Sequence, residues 1–184
     1  MSLEILRLTC DYSSIERGTL QHIQERPEDS SGNLVWPNSC PKKVILKVEK
    51  IPALGSINVI RHRYLLIDDE VVNAINSANL NVCPSVKWVP VELSEYNNKT
   101  SFSMPLNAAS HEVVDQAESD FQCYEGTSKI YTIDKFVLGR LPSVQNIDLF
   151  FTELGSWFCS GKFKSFSENK KVSGCNFSPK LGRA

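Results

Sequence analysis

The chain has no apolar run approaching the roughly 18 residues that a transmembrane helix needs. Its first ten residues, Met1 to Cys10, hold no basic stretch ahead of an apolar run and no small-residue cleavage site. A signal peptide is therefore not expected, and the reading is of a cytoplasmic protein with no membrane role. Net charge is nearly absent, at −1, whereas a general nucleic-acid binder is basic, so no nucleic-acid partner is expected. The common chemical signatures are missing too. There is no G-x-G-x-x-G, no G-x-x-x-x-G-K-[ST], no H-E-x-x-H and no G-x-S-x-G, which removes the simple arguments for nucleotide binding, zinc proteolysis and serine hydrolysis. The six cysteines form no C-x-x-C pair, and the three histidines, His22, His62 and His111, are far apart. Neither a cofactor nor a metal is expected.

What is present is ordinary globular composition. The chain has 184 residues, 41% hydrophobic and 22% charged, with 9 Gly and 9 Pro. That suits one domain, taken as 1–184, large enough to bury a core without staples. In a cytosolic setting the cysteines stay reduced and serve as small core or half-buried residues.

The fold class expected is α+β: a mixed, mostly antiparallel sheet with a few short helices. Strands are expected over residues 1–10, 43–51, 57–60 and 64–67, and a helix over 13–26 with Leu20 and Ile23 inward. The clearest helix starts at Asp68 or Asp69, with Asp69 and Glu70 complementing its dipole and Val72 and Ile75 in its stripe. Val86 to Leu93 alternates and returns through Thr100 to Leu106 as a hairpin. Pro90 points to an edge position or a bulge. Lys129 to Leu138 reads as a long strand, and residues 160–171 as a weak helix before a closing strand at Asn176 to Pro179. One echo stands out. Tyr64 to Asp68, a helix, a loop and Val86 to Pro90 are matched by Trp157 to Ser160, a helix, a loop with Gly174 and Cys175 to Pro179. The pattern suggests two similar strand-helix-strand units on one sheet.

Charge is unevenly spread. Residues 92–125 carry seven acids against Lys99, and residues 156–184 carry six bases against Glu168. An acidic face can steer a basic partner; otherwise these charges are solvated surface. Ser110-His111-Glu112 with Asp115 has the residue types of a triad, but adjacent residues do not converge, and a polar loop fits better. Asp68-Asp69-Glu70 reads as a helix start rather than a cation site. Trp88 and Trp157 lie in apolar strand patterns, whereas Trp36 precedes Pro37 in a loop-like stretch and is the better interface anchor.

The order of features from Ile57 to Lys180 resembles a family of bacterial polymorphic-toxin immunity proteins, number eleven of that immunity series, with a myxobacterial prototype. The likeness rests on Leu66-Ile67-Asp68-Asp69-Glu70-Val71, Trp88-Val89-Pro90-Val91-Glu92-Leu93, Leu106-Asn107, Val114-Asp115 with Ser119, Ile130 to Leu138, Leu149-Phe150, and Val172-Ser173-Gly174 to Phe177-Ser178-Pro179. The helix start departs from the family pattern in having Asp where Ser is usual. The resemblance implies a cytoplasmic antidote, encoded beside a toxin or effector, that occludes the active site of this partner and is not an enzyme. Glu92, Glu95, Asp115, Glu118, Asp120 and Trp36 are the expected partner-binding residues. The alternatives are a small-molecule enzyme or sensor whose site assembles from distant residues, with a His–Glu or Cys–His pair in a pocket lined by His111 or Cys123 and a carboxylate, and a structural or regulatory subunit of a bacterial assembly; self-association stays open.

Overall fold

A computed structural model describes residues 5–10, 20–23, 43–48, 54–60, 64–94, 100–127, 130–139 and 146–178. Trp36, Pro37 and Glu95, and most of the span 13–26 expected to be helical, lie outside them.

Two copies of one unit organise the fold. In the first, strands β4 (Ile57–Ile60) and β5 (Tyr64–Asp68) form an antiparallel hairpin that runs directly into helix α1 (Asp69–Ser77). Strand β6 (Lys87–Ser94) follows, and β7 (Phe102–Leu106) inserts between β6 and β5, antiparallel to both. In the second, β11 (Leu149–Thr152) and β12 (Trp157–Ser160) form the hairpin, α2 (Gly161–Asn169) follows, and β13 (Cys175–Ser178) comes next. Here the inserted strand is β1 (Ile5–Cys10), from the opposite end of the chain.

From the hairpin through the helix exit the copies correspond residue by residue at an offset of 92, which carries Ile57 to Leu149, Asp68 to Ser160 and Ser77 to Asn169, whereas the strands that follow, β6 and β13, depart from it. The hairpin pair Asn58↔Leu66 becomes Phe150↔Phe158. Asp68 caps α1 by accepting the Glu70 amide, and Ser160 caps α2 by accepting the Phe163 amide, as short oxygen-bearing side chains do at a helix start. Both helices exit through a left-handed residue, Asn79 at φ 49° and Lys171 at φ 54°. The bonds Leu80 N–H to Ile75 O and Val172 N–H to Ser167 O close the two exits alike. The sequence echo is thus a structural repeat, but on two sheets rather than one.

Each sheet is then extended differently. Strands β2 (Leu20–Ile23) and β3 (Val44–Val48) add beside β6, giving the order β2-β3-β6-β7-β5-β4. The short β8 (Ser110–His111) pairs in parallel with β11, giving β13-β1-β12-β11-β8. Leu20–Ile23 is a strand, not the inward stripe of a helix, because β3 offers it backbone partners that a helix weakened by Gly18 does not need. Pro90 is also corrected. It lies in an interior strand with no bulge against β7, and among the described residues β3 pairs with β6 from Val91 onward, so the missing Pro90 N–H breaks no described ladder pair on that side.

The units grip each other reciprocally. Ile57 N–H donates to Ser173 O at 2.9 Å, and its counterpart Leu149 N–H donates to Asn81 O, the counterpart of Ser173, at 3.3 Å. Such exchange is the signature of an approximate two-fold relation, here within one chain. One core spans both units: Leu65, Ile67 and Ile75 share it with Leu6, Trp157, Cys159 and Phe163. Each fully buried side chain of this kind stabilises the fold by about 1.5–3 kcal/mol. No helix among the described residues is long and apolar enough to cross a membrane.

Candidate functional site

The repeat leaves one feature unaccounted for, the ribbon between β8 and β11. Asp115 N–H donates to Val137 O at 2.9 Å and Gly139 N–H to Val113 O at 3.0 Å, pairing the ribbon's root. Further out, β9 (Asp120–Cys123) runs antiparallel to β10 (Ile130–Lys135). Between root and strand the chain bulges through residues 115–119. Asp115 Oδ1 accepts the amides of Ala117 (3.0 Å) and Glu118 (3.1 Å), and Ser119 Oγ accepts the Val137 amide at 2.9 Å. The polar stretch from Ser110 to Asp115, expected as a loop, is therefore a short strand leading into a stapled turn. The expected strand to Leu138 ends at Lys135, beyond which a single bridge joins Val114 and Leu138.

Apolar alternation fixes which way the ribbon faces. Phe150 and Phe158 stack with ring centroids 6.2 Å apart, and Ile5 joins them on the sheet face away from the shared core. Val113, Val114, Phe121, Ile130, Ile133 and Phe136 of the ribbon cover them. Glu153, in the β11–β12 turn, clamps the root: its Oε1 accepts the amides of Val113 (2.7 Å) and Val114 (2.8 Å). Its Oε2 is buried without a hydrogen-bond partner, and burial, abetted by the charge of Glu112, raises its pKa above the ordinary glutamate value.

Away from the sheet the ribbon presents acids. Glu112, Glu118, Asp120, Glu125 and Asp134 are exposed and Asp115 is half-buried, with Lys135 the described base among them. Tyr124, 52% exposed, and Leu138 add apolar surface beside the acids. Asp115, Glu118 and Asp120 are thus gathered on one element. Glu92 is not: it lies on β6 of the other sheet, ion-paired with Lys43. Trp157 is wholly buried and Trp88 partly so, in keeping with core packing.

A second grouping forms where the α1 exit crosses to β11. Cys83 Sγ lies 3.5 Å from His111 Nε2 and 3.4 Å from Ser85 Oγ. Burial lowers the His111 pKa and favours the neutral ring, which packs edge-on against Phe150 at 6.0 Å. Sequence spacing could not reveal this pair, since 28 residues separate its members. Among the described residues no group of three or more His, Cys, Asp or Glu side chains could hold a metal.

The chain matches no known family model, and no curated protein is significantly similar to it.

Proposed function

We propose that the protein binds and neutralises a bacterial toxin or effector by occluding its active site, and that the acidic ribbon is the docking element. The observation that carries this reading is the separation of roles in the ribbon. One side is anchored on Phe150 and Phe158, while the other presents Glu118, Asp120 and Glu125 with the exposed Tyr124. An element anchored on one side and presenting mostly acids on the other, with Lys135 among them and an aromatic beside them, suits a basic partner groove: charge raises the association rate, and the apolar contact slows release. The motif order from Leu66 to Pro179 supports the immunity assignment. In this reading the protein acts on its partner by binding rather than by catalysis and needs no cofactor.

The test is co-expression in bacteria with the product of the adjacent gene. The expected outcome is that this product alone arrests growth, and that the protein restores growth and co-purifies with it. A harmless neighbour, or rescue without a complex, rejects occlusion.

A further inference from the structure

We propose that Cys83 is a peroxide-reactive thiol, with His111 as its base and Ser85 as a hydrogen-bond donor to the sulfur. The arrangement is directional. Ala109 N–H donates to Ser85 Oγ at 2.9 Å, which leaves the Ser85 hydroxyl hydrogen free to donate to Cys83 Sγ at 3.4 Å. His111 Nε2, 3.5 Å from Sγ on another strand, is within reach of the thiol proton. A nucleophile with a base at hydrogen-bond distance and a donor on the developing anion is the arrangement that activates a thiol.

The surroundings choose the electrophile. Cys83 is 3% exposed, but Pro84 and Ala109, on either side of it, are exposed, so the sulfur lies one layer below the surface. Only a small uncharged electrophile reaches it, and a hydroperoxide meets that description. The sulfur attacks the distal peroxide oxygen, the O–O bond breaks, and the proton held by His111 goes to the departing oxygen. Thiol and hydroperoxide thereby become sulfenic acid and alcohol, or water from hydrogen peroxide.

The position gives oxidation a consequence. Cys83 N–H donates to Leu149 O at 3.0 Å, in the crossing where Asn81 O accepts the Leu149 amide. His111 leads directly into Glu112 and the ribbon root. An oxygen added to Sγ crowds the place where the two units meet and the ribbon begins.

The experiment exposes the purified protein to hydrogen peroxide at neutral pH, removes the peroxide with catalase after timed intervals, unfolds the protein in urea containing dimedone so that the trap reaches every sulfenic acid, and locates adducts by peptide mass spectrometry. Cys123, exposed on β9, is the internal control. The expected result is labelling of Cys83 faster than Cys123 by about tenfold or more, with His111→Gln slowing only the former by a similar factor, the range of general-base assistance. Faster labelling of Cys123 than of Cys83 in the unaltered protein overturns the proposal, whether or not the variant folds. Equal Cys83 rates in a folded His111→Gln protein overturn it as well.

Discussion

Gly55 and Gly174 pass so closely that a Cβ on Gly55 would lie 2.5 Å from the Gly174 Cα. Gly174 belongs to the exit of α2 and Gly55 to the approach to β4, so the contact joins the two units. Gly174 also sits at φ +90°, where a side chain is strained, and a Cβ there would meet Ile57 O at 2.5 Å. Gly174→Ala is therefore expected to destabilise the protein by about 2–4 kcal/mol through strain and overpacking together. Gly126 has φ +72° but open space around it, so Gly126→Ala carries the backbone cost alone, about 1–2 kcal/mol. Urea unfolding of both variants measures the difference.

Asp148 gathers the other crossing. Its Oδ1 accepts the Ser160 hydroxyl at 2.7 Å, and its Oδ2 accepts the Asn81 amide at 2.9 Å and the Lys162 ammonium at 3.3 Å. Removing this nearly buried acceptor in Asp148→Ala orphans two inner donors and is expected to cost about 2–3 kcal/mol. Lys162 is largely exposed, so Lys162→Ala is expected to cost under about 1 kcal/mol. Comparable losses in the two variants would show that the ion pair, rather than the inner hydrogen bonds, holds the crossing.

The two units were partly legible in the sequence, and the reasons are local. Asp68 before an acidic first turn, and the runs Tyr64 to Ile67 and Trp157 to Ser160, carry their own periodicity and capping signals. The strand inserted in the second unit could not be foreseen. Nothing local in Leu6 or Leu8 says that they pair with Cys159 and Phe177 at the far end of the chain. Asp115, Glu118 and Asp120 were legible as an acidic stretch because they are close in sequence. Glu92 is close to them in sequence, but pairing with β3 places it on the other sheet. Glu153 and Cys83 gave no sequence signal, because each acts on groups supplied by another segment.

Glu153 makes stability depend on pH with a definite sign. Its folded-state pKa is raised, so the folded protein holds the proton more tightly than the unfolded chain. No penalty exists below the ordinary glutamate range. It develops as pH rises through that range and is complete above the folded-state pKa. Glu153→Gln removes the titration, so the stability of the unaltered protein relative to this variant is expected to decline from about pH 4 upward. His111 acts oppositely. Its lowered pKa means that its contribution is lost as pH falls below about 6.5, so the comparison is made between variants rather than on one pH curve. A pH-independent difference between unaltered protein and Glu153→Gln would contradict the buried-carboxylate description.

The ribbon's charge can be removed without unfolding its turn. Asp115 accepts two backbone amides, so reversing its charge would confound folding with binding, whereas Asn retains an acceptor. Glu118 and Asp120 are exposed, and the like-charge pair that Asp120→Lys makes with Lys135 across the ribbon costs about 0.2–1 kcal/mol. Asp115→Asn with Glu118→Lys and Asp120→Lys is expected to change stability by no more than about 1 kcal/mol. Circular dichroism and thermal unfolding check that this triple variant stays folded.

The most direct measurement is the affinity of that triple variant for the partner that the co-expression test identifies, taken by calorimetry at low and at physiological salt. The expected result is a loss of about tenfold or more at low salt, with a flatter salt dependence than the unaltered protein shows. An unchanged affinity and an unchanged salt dependence, in a variant shown to be folded, would contradict docking through the ribbon.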